Sequence, residues 1–374
     1  MSPPSLSASR LAPTMARAVL QRRRLPIRRL MSSAPPRRPF KIHVGASFEG
    51  KPPEYRATPG RPLKVATDFP IGSDIRAWRD AMLSRPKGVP SKDAGEDFFY
   101  VQEVCYGSRS TRLNANSKYD DSEQMRNQSG ISFGVADGVG GWIDVGVDPS
   151  LFSQALMYHA HRYCKQSWAG EPETDPLSNY EEREQVQGWE LKPRECLELA
   201  HGAVLREKTV EAGSSTACLI NVNASNGLLR AANLGDSGFC IFRSSNLLYY
   251  QPPQTHFFNC PKQLSKVPSG TRKYGQAYTD SPREADVYET RLRDGDTVVA
   301  YTDGLSDNVF ANEMLQICTL ISRSGAPEHQ QAQEMADRLV LYARACMVND
   351  RRISPFEIAA ARVGELYKGG KVDE

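Results

Sequence analysis

The chain has 374 residues, 40% of them hydrophobic and 24% charged, ordinary usage for a globular protein able to bury a full core. No stretch approaches the roughly 18 consecutive apolar residues that a membrane helix needs. The formal charge of +3 hides an asymmetry: ten basic residues, from Arg10 to Lys41, precede the first acid, Glu49, and removing them from the 47 leaves 37 against 44 acidic residues, a balance of −7 that argues against a nucleic-acid partner.

The leader "MSPPSLSASRLAPTMARAVLQRRRLPIRRLMSSAPP" is Arg-rich, Ser-rich and free of acids, the composition of a mitochondrial transit peptide. A basic arm for nucleic acid or anionic lipid is the competing reading. Residues 1–40 are therefore expected to be a transit peptide, with processing near residue 31 and the mitochondrial matrix as destination. Residues 41–90 read as a linker with a short helix over 74–85, and residues 91–374 as the folded domain. The eight cysteines are scattered, with no CxxC and no His at zinc spacing, so buried reduced thiols are expected.

From "GEDFFYV" onward, strand-like and helix-like stretches come in blocks. The polar segments 107–130 and 169–190 read as exposed loops. "DPSLFSQALMYHAHRYC" has Asp148 as N-cap and Pro149 at the first helical position. "STACLINVN", "GLLRAANLG", "SGFCIFR" and "NLLYYQ" read as antiparallel hairpins joined by short turns. "DVYETRL" and "DTVVAYT" follow, with Asp294-Gly295 as a plain hairpin turn between them. Helical runs over 310–322 and 328–347 come next, then a last helix with a capping box from Ser354 to Glu357. The blocks favour an α+β fold with antiparallel sheets over regular βαβ units.

Several acids sit at strand ends beside small residues: Glu96 and Asp97, Asp137, Asp236, and Asp303 with Asp307. Singly, Asp236 reads as a turn residue and Glu96-Asp97 as a solvated strand start. A cluster of carboxylates, however, repels itself and needs a cation, and an all-oxygen set suits Mg²⁺ or Mn²⁺.

Taken in order, "GEDFFYV", "FGVADGVGGW", "GSSTACLI", "ANLGDSGF" and "YTDGLSDN" resemble the successive motifs of the metal-dependent type-2C protein serine/threonine phosphatases, and "VADGVGGWIDVGVDPSLFSQALM" with "SPFEIAAA" resembles their mitochondrial branch. The resemblance runs from about residue 91 to the end. It implies an α-β-β-α sandwich of two antiparallel sheets flanked by helices, with a final strand missing after Asp373. It also implies hydrolysis of phosphoserine and phosphothreonine in phosphoproteins by water activated between two Mn²⁺ or Mg²⁺ ions. Such ions lie ~3.5–4 Å apart and lower the pKa of a bound water toward ~7. Asp137 and Asp303 would be the central catalytic ligands. The metal set would be Glu96, Asp97, Asp137, the Gly138 carbonyl, Asp303 and Asp373, with Asp236 and Asp307 at a weaker third-metal position. Lys92 stands nearest to where relatives carry a phosphate-binding Arg. Val139 replaces the His that many members use to protonate the leaving group, and His256 reads as structural. Asp373 is expected at a frayed terminus. A monomer without a transmembrane segment is expected, and the missing strand leaves open an inactive, phosphoprotein-binding regulator.

Overall fold

The structure, a computed structural model, describes residues 40–52, 68–90, 92–105, 128–164, 191–268 and 278–374. Two main sheets form. Sheet one takes β1 (Phe98–Cys105), β2 (Gln128–Ala136), β4 (Ala217–Asn223), β5 (Leu228–Leu234) and β11 (Asp286–Arg291), in the order β1-β2-β4-β5-β11. Sheet two takes β6 (Gly238–Arg243), β7 (Asn246–Tyr250) and β12 (Thr297–Tyr301), in the order β12-β6-β7. Every pairing is antiparallel. The apolar residues of the central strands β4, β5 and β6 are largely buried, and those of the edge strands β7 and β11 are partly exposed. The short strands β3 (Gly213–Ser215) and β10 (Leu264–Lys266) pair with each other, as do β8 (Thr255–Phe257) and β9 (Cys260–Pro261). The sheets face each other through β2 with β12 and β4 with β6.

Helices close both outer faces. On sheet one lie α1 (Asp74–Leu83), α2 (Ser150–Cys164) and α3 (Pro193–Arg206), with α2 packed on β1 and β2 and against α3. Phe152, Ala155, Leu156 and Ala160 of α2 are fully buried, so this helix is a core element rather than a surface one. Its entry is fixed as expected: Asp148 Oδ1 accepts from the Ser150 N–H at 3.1 Å, although the helix starts one residue later than Pro149. On sheet two lie α5 (Ala311–Ser322) and α6 (Glu328–Met347), which bury Met314, Cys318 and Ile321 against Met335, Leu339 and Ala343. The four-residue α4 (Asp303–Ser306) and α7 (Pro355–Arg362) complete the described α-helices. The α-β-β-α sandwich is thus the observed architecture, and all described residues belong to one unit, Arg38–Glu374.

Several expectations are corrected. β5 leads to β6 and β11 leads to β12 by crossing from one sheet to the other, so Asp294-Gly295 is an inter-sheet turn and not a hairpin. Adjacency in sequence does not distinguish the two. The segment read as linker contributes to the core: Ile42, Val44 and Ala46 pack on it, and Phe48, Phe69 and Ile75 are buried within it. Segment 107–130 ends in strand, since β2 opens at Gln128; its remainder and 169–190 lie outside the described residues, as do residues 1–39. Ser354 caps α7 by accepting from the Glu357 N–H at 3.0 Å, but the Glu357 carboxylate accepts from the Gly369 N–H at 2.8 Å instead of closing a capping box. Six of the described cysteines are buried as free thiols and Cys260 is half-buried.

β12 is the edge of its sheet, and a cavity of about 720 Å³ lies between it, β1 and residues 40–49, with Glu374 in its lining.

Phe152 tests the packing between α2 and sheet one. Phe152→Ala should cost about 3–5 kcal/mol, lowering the urea midpoint with the slope of the transition unchanged.

Candidate metal centre and active site

Strand register brings the acids to one end of both sheets. Phe98 pairs with Ala136, which places Asp97 opposite Asp137 just beyond the ladder. Tyr301 pairs with Gly238, which places Asp303 and Asp236 at the corresponding end of sheet two. Asp236 lies in the crossing from β5 to β6, and Asp303 opens α4. Asp137, Asp236 and Asp303 each offer an oxygen, and these atoms lie within 4.8 Å of one another. Glu96, Asp97, Asp307, Asp373 and Glu374 surround them.

The motif "GSSTACLI" supplies the scaffold for Asp137. The Asp137 N–H donates to Thr216 Oγ1 at 3.1 Å, its carbonyl accepts from the Thr216 N–H at 3.0 Å, and the Val139 N–H donates to the Ser214 carbonyl at 3.0 Å. Thr216 in turn shares a 2.6 Å hydrogen bond with Ser237, the neighbour of Asp236. Trp142 Nε1 donates to Ser214 Oγ at 2.6 Å, closing the turn after Gly138. From the other side, Ser153 Oγ of α2 donates to the Glu96 carbonyl at 2.6 Å. Gly138 is required for a reason beyond an open carbonyl: a Cβ there would sit 2.5 Å from the Glu96 carbonyl oxygen and 2.9 Å from that of Pro149.

Electrostatically the site is an unbalanced acidic cluster. Burial, then Asp97 and the other acids around it, push the Asp137 carboxyl far above the usual range. Asp97 rises for the same reason, through burial and then Glu374, Asp373 and Asp303. Asp236 rises through burial and Asp303. Burial raises Asp307 to about 7 against the pull of Lys371, and Glu374 to about 8 against that of Lys51. Asp373 goes the other way: burial opposes its charge, but Lys371 and Lys51 outweigh it and hold the carboxyl below its ordinary value.

Those two lysines are the feature that sequence reasoning missed. Lys51 Nζ lies 3.3 Å from Glu96 Oε2, 3.1 Å from Asp373 Oδ1 and 3.2 Å from Glu374 Oε2. Lys371 Nζ lies 2.5 Å from Asp303 Oδ2, 2.8 Å from Asp307 Oδ2 and 3.1 Å from Asp373 Oδ2. Asp373 is therefore clamped between two ammonium groups, one on each oxygen, and is not frayed. Lys92 is exposed, four residues before Glu96. His256 pairs with Asp280 at 2.9 Å and stacks on Tyr278, in keeping with a structural role.

The donor set fits a hard divalent cation. It consists of carboxylate oxygens that converge from separate elements, and Asp236 Oδ1 is buried without a hydrogen-bond partner, an acceptor left over for a cation.

Comparisons with known proteins identify the family to which this sandwich and its acidic end belong. No protein-family model matches the chain. It is 35% identical over 313 residues to "Protein phosphatase PTC7 homolog fig" of Drosophila willistoni, covering 82% of this chain and 91% of that one. It is 32% identical over 283 residues to the human "Protein phosphatase PTC7 homolog", 75% and 82% covered, and 36% identical over 277 residues to "5-azacytidine resistance protein azr1" of Schizosaccharomyces pombe, 74% and 85% covered. Among solved structures, the photosystem II phosphatase PBCP shares 27% identity at a TM-score of 0.52, over 75% of this chain and 88% of that one. The chain belongs to the type-2C family of protein serine/threonine phosphatases, among the PTC7 homologues.

Two substitutions test the geometry. Gly138→Ala should cost ~1–3 kcal/mol through its clash with two carbonyls, whereas Gly141→Ala, with nothing within 4 Å of the new Cβ, should stay within ~0.5 kcal/mol. Asp137→Asn removes the cost of burying a carboxyl among other acids, where it must take up a proton to fold without metal. In the presence of a chelator it should raise the melting temperature by about 2–4 °C, roughly 1 kcal/mol, and it should shrink the gain that Mn²⁺ confers.

Proposed function

We propose that this phosphatase hydrolyses phosphoserine and phosphothreonine in mitochondrial matrix proteins, using two Mn²⁺ or Mg²⁺ ions held at the acidic end of the sheets. The observation that carries the metal reading is the convergence of Asp137, Asp236 and Asp303, whose oxygens lie within 4.8 Å of one another. Asp137 and Asp303 would be the central ligands, supported by Glu96, Asp97, the Gly138 carbonyl and Asp373, with Asp236 and Asp307 at a weaker third position. When bound, the ions supply Lewis acidity and an activated water for in-line attack at phosphorus.

The chain's own residues do the positioning. Thr216 and Ser214 hold the Asp137–Val139 backbone from one side, and Ser153 holds Glu96 from the other. The backbone that carries Asp137 and Glu96 is thereby fixed before an ion arrives, so little main-chain reorganisation is left for the loaded state. Matrix localisation rests on the composition of residues 1–40; no helix among the described residues is long and apolar enough to cross a membrane.

Hydrolysis of a phosphothreonine peptide by the full chain should require Mn²⁺ or Mg²⁺ and stop with chelator. Asp137→Asn should lower kcat by at least about 10²; retained turnover in that variant would remove the metal assignment. Binding of the phosphopeptide without turnover would favour a regulator instead. Residues 1–40 fused to a fluorescent protein should carry it into mitochondria, and a cytosolic signal would overturn the localisation.

A further inference from the structure

The amine of Lys371 is placed by the fold, not by chance rotamer choice. The Asn308 side chain holds its backbone at both polar groups: the Lys371 N–H donates to Asn308 Oδ1 at 2.9 Å, and Asn308 Nδ2 donates to the Lys371 carbonyl at 2.7 Å. Asn308 is itself fully buried and also donates to the Gly304 carbonyl at 2.9 Å, so the clamp is anchored in α4, the helix that Asp303 opens. One residue pair upstream, Ser354 Oγ and the Glu357 carboxylate both hold Gly369. From this fixed base the side chain crosses the Phe356 ring, with Nζ 5.0 Å from its centroid, and ends among Asp303, Asp307 and Asp373.

We propose that Lys371 is a resident, tethered cation, its amine on Asp303, Asp307 and Asp373, that takes the place of a third divalent ion beside Asp307, so that the third position named above at Asp236 and Asp307 is filled by an ammonium group instead of a metal ion. The inference rests on the two-ion reading above. Three arguments support it. An ammonium group has three N–H donors for three carboxylate oxygens at 2.5–3.1 Å, the contacts seen, and a divalent ion cannot share that space. A tethered group competes at an effective concentration on the order of mM or higher, ahead of a free ion that binds weakly. Charge also favours retention: Glu96, Asp97, Asp137, Asp236, Asp303, Asp307, Asp373 and Glu374 gather here, and two divalent ions with two ammonium groups still fall short of neutralising them. Expelling the lysine would widen that deficit.

The test counts ions, so it does not depend on turnover. Mn²⁺ binding to the full chain is followed by electron paramagnetic resonance of the free ion, for the wild type, Lys371→Met and Lys371→Arg. Lys371→Met should bind one more Mn²⁺ per chain at equal free Mn²⁺, and Lys371→Arg should match the wild type. Equal stoichiometry and affinity in Lys371→Met and wild type would overturn the proposal, as would a failure of both to bind Mn²⁺. Should Lys371→Met not fold, the wild type gives the answer by reductive methylation mapped by mass spectrometry. Lys371 should stay protected with and without saturating Mn²⁺ while exposed Lys368 is modified; Mn²⁺-induced reactivity at Lys371 would show displacement and overturn it. A gain of Mn²⁺ in Lys371→Met by a chain that hydrolyses no phosphopeptide would separate this inference from the catalytic reading.

Discussion

Mutual repulsion among buried carboxylates is the constraint around which this molecule is built. Ionised acids brought together out of water are costly unless positive charge joins them. The fold does not avoid that cost. It concentrates the acids at one end of two sheets, raising Asp97, Asp137 and Asp236 far above their ordinary range, and spends hydrogen bonds from Thr216, Ser214 and Ser153 on keeping the surrounding backbone in place. Residues that face solvent could relax apart; these cannot, because their strands are fixed by pairing on both sides of the cleft.

Much of this was legible in the sequence. Asp137, Asp236 and Asp303 each stand where an apolar strand runs out beside glycine or serine, and a strand end is where a sandwich presents residues to a cleft. Periodicity also gave the outer helices: Met314, Cys318 and Ile321 recur at helical spacing and are buried together. What was not legible depended on contacts distant in sequence. Lys51 sits in a Pro-flanked stretch and Lys371 in a Gly-flanked one, where a lysine reads as solvated; only the fold shows that they meet on Asp373. The same holds for Asn308, whose role as a clamp on Lys371 spans 63 positions.

Residues 40–49 illustrate a signal present but overridden. Phe40, Ile42, Val44, Ala46 and Phe48 alternate as one buried face would, yet the Arg and Pro density just before them favours reading residues 41–90 as a linker. Burial of Phe48 and packing of Ile42, Val44 and Ala46 on the core show that the alternation carried the information. The Asp294-Gly295 turn makes the opposite point. Its local chemistry is right for a reversal, but local chemistry does not specify whether the next strand returns to the same sheet.

The two crossings between sheets have a consequence for motion. β5 passes to β6 near Asp236, and β11 passes to β12 at the far end of the same pair of strands, because Arg291 lies opposite Leu228 and Thr297 opposite Phe242. The sheets are thus stitched at both ends and cannot hinge apart like a pair of jaws. A cation entering or leaving the acidic end would then depend on side-chain rearrangement and local breathing within a rigid frame, not on the opening of the sandwich.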